Sequence, residues 1–353
     1  MKPKVTTGVA RRLLVTVAVI AFAPVAFAQS HGEHPPHPLT GANQTFFVLN
    51  NPNDPMFNQL LGINGGPIDS IPPTGRVIVG YFGDGKEIPN FGYVLVPKNH
   101  YSDENFDMLA PGSQTQAIGI NNNAFPDIVG FYTDVATGVT HGFLDSNGVQ
   151  LTIDDPAGSP PNVTTPAQNL LGINNLDKAA GFWTDNKGNT HGFIVEINTQ
   201  SPNTSKFIEI PPTTFPGAVA IQATSITNVD RVCGFWTDAN GNNQGFTGFL
   251  NQMFFPFNIS IPGMIVTSTS PFGCNDPGGV VGSFIDNKGN THGFIFDGMT
   301  THLFDAPGSS QKAAFGVAGT VINGINNQGE IVGFFSDGTN VNGFVDFAPP
   351  LDQ

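Results

Sequence analysis

The chain has 353 residues, of which only 11% are charged, and it contains 43 Gly, 29 Pro and 31 Phe. Low charge combined with many aromatic residues excludes an intrinsically disordered chain. Abundant Gly among β-branched and aromatic residues favours short strands joined by tight turns. The formal net charge is −14, which disfavours nucleic-acid phosphate and anionic lipid as partners.

The first 28 residues have the pattern of a secretory signal peptide. Lys2, Lys4, Arg11 and Arg12 precede an apolar run, and residues 26–28 (Ala-Phe-Ala) form a small-x-small cleavage site. The run is too short for a membrane span, so we expect a secreted protein without membrane insertion, exported by the general or the twin-arginine route. Removing the peptide leaves 9 Lys+Arg against 27 Asp+Glu, a net charge of −18.

Residues 29–43 predict a flexible tail rich in His and Pro, and the folded domain is expected to span residues 44–353. His31, His34 and His37 follow one another at a spacing of three. Imidazoles in such a tail can bind Zn²⁺, Cu²⁺ or Ni²⁺ weakly, which makes these three residues a candidate metal site. A solvated linker without a ligand is the alternative.

Two anchors recur six times along the domain. The first is a glycine within an apolar and aromatic run that ends at Asp, and it stands at Gly80, Gly130, Gly181, Gly234, Gly282 and Gly333. The second is a glycine followed by an aromatic residue, and it stands at Gly92, Gly142, Gly192, Gly245, Gly293 and Gly343. Because both anchors drift together around a period of about fifty residues, the domain is a repeat protein.

Each repeat predicts four strands. The first ends in a turn such as Gly172-Ile173-Asn174, the second is the aromatic run, the third follows a hairpin, and the fourth ends at a proline such as Pro211. The last repeat lacks its fourth strand, whereas an additional strand of that type, Phe46 to Pro52, precedes the first repeat. We therefore predict an all-β, six-bladed β-propeller of four-stranded blades, closed by the N-terminal strand, rather than a β-solenoid or a sandwich.

The repeats also carry family-like motifs: Ile173-Asn174-Asn175 followed by His191-Gly192-Phe193, and the run from Ile325-Asn326-Asn327 to Gly333. The chain resembles, over residues 44–347, the bacterial extracellular repeat family named for its His-Ala-Phe tripeptide. Gly replaces the Ala of the tripeptide here, and its His is replaced in three copies, by Phe91, Gln244 and Asn342. The resemblance implies an exported repeat protein and implies no particular activity.

An aromatic residue recurs two positions after the first anchor glycine in every repeat: Phe82, Tyr132, Trp183, Trp236, Phe284 and Phe335. Both faces of a propeller blade pack on neighbours, so these rings are expected in the core between blades. The alternative is a set of sugar-stacking pockets. Tyr132, Trp183 and Trp236 are the candidate ligand-binding residues, because their polar tips suit a partly solvated rim.

Other polar positions recur with the repeat. His141, His191 and His292 lie on third strands, too far from the axis to converge on one ion, so we expect hydrogen-bonding roles beside the hairpins. The Asn of the first-strand turn is expected to serve the turn itself. The alternative is a ring of amide oxygens around Ca²⁺ at the channel mouth, with Asp177 and Asp276 nearby.

Cys233 and Cys274 lie on strands of adjacent repeats. In an oxidising compartment they are a candidate disulfide, and as small buried hydrophobes they would stay reduced. The sequence leaves both alternatives open.

The sequence predicts extracellular recognition or scaffolding, with a glycan or an extracellular protein as the partner. No nucleophile elbow, zinc-protease helix, phosphate loop or paired-cysteine motif occurs, and the cofactor and the question of catalysis stay open. The alternative is a lyase or hydrolase with its site at the channel mouth, near the longest inserts, Gly65–Arg76 and Tyr101–Gln116. The carboxylates of residues 103–107 and 154–155 are catalytic candidates in that case and solvated loop charges otherwise.

Overall fold

A computed structural model describes residues 45–65, 76–96, 100–102, 112–164 and 166–347. Its strands form six four-stranded antiparallel sheets whose innermost strands contact one another in a ring. The predicted all-β, six-bladed propeller of four-stranded blades is therefore confirmed. The predicted signal peptide, the tail with His31, His34 and His37, and the carboxylates of residues 103–107 lie outside the described residues.

Each blade runs from the axis outward in chain order. Blade 1 contains β2 (Asn58–Ile63), β3 (Ile78–Phe82), β4 (Phe91–Val96) and β5 (His100–Ser102). Blade 2 contains β6 (Gln114–Ile120), β7 (Asp127–Thr133), β8 (Thr140–Ser146) and β9 (Val149–Thr152). Blade 3 contains β10 (Gln168–Ile173), β11 (Lys178–Thr184), β12 (Thr190–Glu196) and β13 (Lys206–Glu209).

The second half repeats this arrangement. Blade 4 contains β14 (Ala218–Ile226), β15 (Arg231–Asp238), β16 (Asn243–Phe249) and β17 (Phe254–Pro256). Blade 5 contains β18 (Val266–Cys274), β19 (Val280–Asp286), β20 (Thr291–Phe296) and β21 (Thr301–Phe304). Blade 6 contains β22 (Thr320–Ile325), β23 (Ile331–Ser336), β24 (Val341–Asp346) and the N-terminal strand β1 (Phe46–Val48).

Within the described residues, helical structure consists of short 3₁₀ segments in the connections, at Pro156–Gly158, Pro202–Thr204 and Pro212–Thr214. No helix in the described ranges is both long and apolar enough to cross a bilayer.

The N-terminal strand β1 is the outermost strand of blade 6. It pairs antiparallel with β24, with Phe46 opposite Asp346 and Val48 opposite Phe344. The Phe46 ring stacks on the Phe344 ring at 5.4 Å between centroids. Residues 46–48 are thus the fourth strand of blade 6, and closure of the ring by this strand stays a prediction.

The hairpins between second and third strands use the turn chemistry that their sequences predict. In blade 3, Asp185 Oδ1 accepts hydrogen bonds from the backbone N–H groups of Lys187 at 2.8 Å and Asn189 at 2.9 Å. Gly188 adopts a positive φ of 86°, which costs glycine little. These turns lie on one face of the propeller, the hairpin face, and the turns between first and second strands lie on the opposite face, the mouth face.

Two fourth strands differ from their predicted positions. In blade 1 the outer strand is β5, and the predicted segment Phe106–Pro111 lies outside the described residues. In blade 4 the strand ends at Pro256 rather than Pro262. The reason is that Ile259 and Ile261 turn inward and pack in an apolar cluster with residues of blade 5, so burial outweighs continued strand pairing there.

Every innermost strand contains a β-bulge at the same place. In blade 1 the register passes from Leu60 to Gly62, which leaves Leu61 without a partner on β3. The bulge residues of the other blades are Ile118, Leu171, Thr224, Phe272 and Asn323. All six line the central cavity, as expected of bulges that redirect a side chain.

The glycine after the bulge allows the innermost strands to approach closely. A Cβ added at Gly324 would lie 2.8 Å from the backbone oxygen of Leu61 in blade 1, closer than carbon and oxygen tolerate. Five of the six blades have glycine at this position, and Ser225 occupies it in blade 4. The recurring Gly-Ile-Asn motif is therefore a requirement of strand packing as well as of the turn.

Cys233 on β15 and Cys274 on β18 form a disulfide that joins blades 4 and 5, with 6.3 Å between their Cα atoms. We expect the protein, unfolded in denaturant without reductant, to show no reaction with a thiol reagent. After reduction both thiols should label. Two labelled thiols without reductant would contradict the bond.

Candidate functional site

The recurring aromatic residues of the second strands lie between the blades. Tyr132 is 6% exposed and Trp183 is 8% exposed, and both belong to buried apolar clusters. Trp236 is half-buried and stacks on Phe215, with 5.8 Å between the ring centroids. This is the packing that the core alternative of the sequence analysis expects, and a ligand role for these three residues stays a prediction.

Trp183 is covered on both sides. Its ring lies 4.0 Å from the His191 ring at an interplanar angle of 7°. A Cβ added at Gly158, in the connection from blade 2, would lie 2.6 Å from the Trp183 Cβ and 2.7 Å from its Cγ. The connection therefore rests directly against the tryptophan, and a sugar ring would have to displace it.

Three of the blades combine the aromatic residue with a His and a carboxylate. His141 Nδ1 lies 2.5 Å from Asp154 Oδ2, His191 Nδ1 lies 3.0 Å from Glu209 Oε1, and His292 Nδ1 lies 2.8 Å from Asp305 Oδ2. The hydrogen bond to Asp154 raises the pKa of His141. These units lie in separate blades on the hairpin face, so the three imidazoles do not converge.

On the mouth face lies an inner ring of side chains, and four of them donate to the backbone of the next blade: Asn121, Asn174, Asn275 and Asn326. Its members are Asn64, Asn121, Asn174, Thr227, Asn275 and Asn326, all buried. Asn174 Nδ2 donates to the backbone oxygen of Thr227 at 2.9 Å, and Asn326 Nδ2 donates to that of Asn64 at 3.1 Å. The second of these bonds crosses from blade 6 to blade 1, so the first-strand Asn ties blades together in addition to forming its turn.

The outer ring, which surrounds the cavity opening, consists of the next residue of each blade: Gly65, Asn122, Asn175, Asn228, Asp276 and Asn327. The backbone N–H of each of the first five donates to the side-chain oxygen of the following blade. The distance is 2.8 Å from Asn122 N to Asn175 Oδ1 and 3.0 Å from Asp276 N to Asn327 Oδ1. The outer ring thus holds four amides, one carboxylate and one glycine at fixed positions.

The outer-ring oxygens are engaged with neighbouring N–H groups. Asp276 also accepts from the Nδ2 atoms of Asn228 and Asn327, each at 2.8 Å. No group of three His, Cys, Asp or Glu side chains that would suit a metal ion occurs within the described ranges. The Asn175 Nδ2 donor has no hydrogen-bond partner in the described part of the chain, so it is free to bind a ligand.

The charged groups near the mouth are mostly paired. Arg76 donates to Glu330 through Nε at 2.5 Å and Nη2 at 3.0 Å across the seam between blades 1 and 6. Lys178 Nζ lies 2.8 Å from both carboxylate oxygens of Asp230. The mouth therefore presents four Asn amides and one carboxylate, Asp276, which accepts hydrogen bonds from Asn228 and Asn327.

The outer ring encloses a cavity of about 90 Å³. Its lining includes the six bulge residues, of which Leu61, Ile118, Leu171 and Phe272 are apolar and buried. Asn323 is the amide among them, and its buried Oδ1 has no hydrogen-bond partner among the described residues. The apolar bulge residues are largely covered, so the accessible lining of the cavity is mostly polar.

Exposed apolar side chains flank the mouth in three adjacent blades. Phe125, Leu176 and Val229 are 71%, 59% and 55% exposed, and each lies in the turn that carries an outer-ring Asn. A single exposed apolar residue is ordinary. Three exposed apolar side chains at neighbouring turns form an apolar strip on this face, which can contact a ligand that extends out of the mouth.

The sequence motif identifies the inner-ring Asn, but of the outer ring only Asp276 was predicted to lie near the mouth. The available signal is the doubled Asn of residues 121–122, 174–175 and 326–327, in which the first serves the turn and the second faces the opening. The place of Asn323 in the cavity lining could not be recognised from the sequence, because it depends on the β-bulge between Ile322 and Gly324.

The sequence matches no family model, and no curated protein matches it. Among solved structures, the chain is similar to a Trypanosoma rangeli sialidase (8% identity, TM-score 0.48, 88% of this chain and 58% of that chain). It is also similar to a six-bladed fucose-binding lectin from Aleuria aurantia (9%, 0.45, 80% and 95%). A third similar structure is TolB from Acinetobacter baumannii (11%, 0.43, 82% and 64%), so the chain spans less than two thirds of TolB. These values assign no ligand or activity to this chain.

Proposed function

We propose that this protein is a secreted recognition protein that binds an uncharged glycan at the mouth of its central channel. The observation that carries the proposal is the outer ring of amides, held in place by hydrogen bonds from blade to blade. Preorganised polar groups lose little conformational freedom on binding, which favours recognition. Secretion rests on the N-terminal sequence pattern, and the resemblance to the His-Ala-Phe repeat family supports it.

The chemistry of the mouth suits sugar hydroxyls. An amide both donates and accepts hydrogen bonds, as a hydroxyl group does, and Asn175 Nδ2 is an unused donor. Exposed Phe125 offers a ring to the apolar face of a sugar. Acidic polysaccharides are expected to bind worse, because the secreted chain would carry a net charge of −18, from 9 Lys+Arg and 27 Asp+Glu.

The mouth favours binding over catalysis. General acid–base chemistry requires a titratable group within reach of the substrate, and usually two. Among the described residues that line the cavity, Asp276 is the one ionisable side chain, and its carboxylate is hydrogen-bonded to Asn228 and Asn327.

The test is a glycan array with the protein from Gln29 onward, followed by calorimetry on Asn175→Asp. This change keeps the oxygen that accepts from Asn122 N, and it replaces the free Nδ2 donor by a negatively charged oxygen. We expect affinity for a neutral glycan to fall about tenfold, the value of one hydrogen bond of about 1.4 kcal/mol.

The matched control is Asn287→Asp, in an exposed turn of the hairpin face, which should bind as the wild type does. Unchanged binding by Asn175→Asp together with lost binding by Trp236→Ala would move the site to the space between blades. The absence of any neutral glycan on the array would refute the proposal.

A further inference from the structure

The axis of the propeller is filled beneath the central cavity. An apolar cluster to which all six blades contribute extends from the bulge residues toward the hairpin face. Four of its aromatic side chains lie one level below the bulges and are each at most 2% exposed: Tyr81, Phe182, Phe235 and Phe334. In the described part of the chain, these rings leave no room for water at that level of the axis.

The hairpin end of the axis is covered as well. Ala314 and Val317, in the connection from blade 5 to blade 6, exchange backbone hydrogen bonds of 2.9 and 2.8 Å. They belong to the same cluster as Phe57 and Val341, which stand at the hairpin-face ends of blades 1 and 6. All four residues are at most 5% exposed. Among the described residues, the cavity is therefore closed on the hairpin side and opens at the mouth.

A cavity that is closed on one side can receive the end of a chain but not its middle. Its volume of about 90 Å³ is several times the roughly 10–15 Å³ that a single water needs, so a group of several non-hydrogen atoms fits. Its accessible lining is mostly polar. Hydroxyl groups can pair with such a lining, whereas a methyl group would leave desolvated polar atoms without partners.

We propose that the mouth recognises the non-reducing end of a neutral glycan, through a terminal hexose whose hydroxyls enter the cavity. This assignment rests on the proposed function and adds to it the part of the glycan that is bound. The hydroxyls bond to side chains of the outer ring, which include the unused Nδ2 donor of Asn175. The reducing end does not serve, because a glycan on an extracellular surface is joined to its carrier through that end.

The rest of the glycan leaves over one side of the mouth. The apolar strip of Phe125, Leu176 and Val229 occupies the turns of blades 2, 3 and 4 beside the outer ring. In blade 6 the position that corresponds to Leu176 is the polar Gln328. Exposed apolar side chains beside a polar opening are typical of a ligand-binding surface. The second and third sugars therefore contact the strip, and the chain runs from the cavity toward blade 3.

The experiment begins with a neutral array glycan of three or more sugars. Methyl glycosides of glucose, galactose and mannose are titrated against it by calorimetry. We expect at least one glycoside to displace the glycan completely, at one site per chain. Methylation of every hydroxyl on the terminal sugar should weaken binding at least about tenfold, the value of one hydrogen bond or more. Methylation of an internal sugar should change binding less than about twofold.

Leu176→Ser tests the course of the chain. The variant should bind the array glycan about threefold more weakly, because apolar contact is lost, and it should bind the methyl glycoside as the wild type does. Ile265→Ser is the matched control. Ile265 is 63% exposed, close to the 59% of Leu176, but it accepts a hydrogen bond from Asn287 N in a turn of the hairpin face. This variant should bind both ligands normally.

The outcomes separate the two proposals. If glycan binding survives methylation of the terminal sugar, or if none of the three glycosides displaces the glycan, recognition of the chain end is overturned and glycan binding stands. Unchanged glycan binding by Leu176→Ser overturns the course over the strip. If no neutral glycan on the array binds the folded wild type, the proposed function fails and recognition of the chain end fails with it.

Discussion

Replacing Trp183 by Ala is expected to lower the free energy of unfolding by about 3–5 kcal/mol, as the loss of a large buried aromatic side chain does. The indole is 8% exposed and is enclosed by His191 on one side and the Gly158 connection on the other. Urea denaturation of both proteins measures the change. The truncation would leave a cavity between blades 2 and 3, and binding at the mouth should be retained.

Trp236→Ala is the matched control, because Trp236 occupies the equivalent position in blade 4 but is only half-buried. Trp236→Ala should lower the free energy of unfolding by less than Trp183→Ala does, by about 2 kcal/mol. If Trp183→Ala instead kept its stability and abolished glycan binding, the indole would be a ligand site and the packing account would be wrong.

Deleting residues 44–52 is expected to destabilise the whole domain, on the order of 5 kcal/mol or more, and to promote aggregation. The deletion removes β1, so the edge of β24 loses its pairing partner. It also removes the Asn50 side chain, which donates to Asn342 Oδ1 at 2.9 Å and accepts from Gly343 N at 3.0 Å. Calorimetric melting of the truncated protein checks the prediction.

A pair of point variants tests whether the deletion acts through the lost packing of β1 on blade 6 or only through the shorter chain. Phe46 stacks on Phe344 inside blade 6, whereas Phe47 lies on the opposite side of the strand and is exposed. Phe46→Ala should lower the melting temperature clearly more than Phe47→Ala does. An unchanged melting curve for the deletion would contradict closure of the ring by the N-terminal strand.

The repeat made the blade architecture predictable from sequence. Two anchors per repeat, together with the additional strand predicted at Phe46 before the first repeat, were sufficient to predict six four-stranded blades. Turn residues such as Asp185 and Gly188 report local backbone geometry, which sequence encodes directly. The outer strand of blade 4 was misplaced because burial of Ile259 and Ile261 is a tertiary effect.

The mouth was only partly predictable. The inner-ring Asn is visible as a motif, but its bond to the neighbouring blade depends on how closely the strands approach at Gly324. The bulge that places Asn323 in the cavity lining leaves no distinct mark on the sequence, since a bulge is defined by pairing with a second strand. The candidate residues Tyr132 and Trp183 followed from amphipathic character alone, which does not report burial.

The most direct measurement is a crystal structure of the secreted form soaked with an uncharged glycan that the array identifies. We expect ligand density at the channel mouth, within hydrogen-bond distance of Asn175 and other outer-ring amides, with no change around Trp183. Density in the spaces between blades, beside Tyr132, Trp183 or Trp236, with an empty mouth, would contradict it.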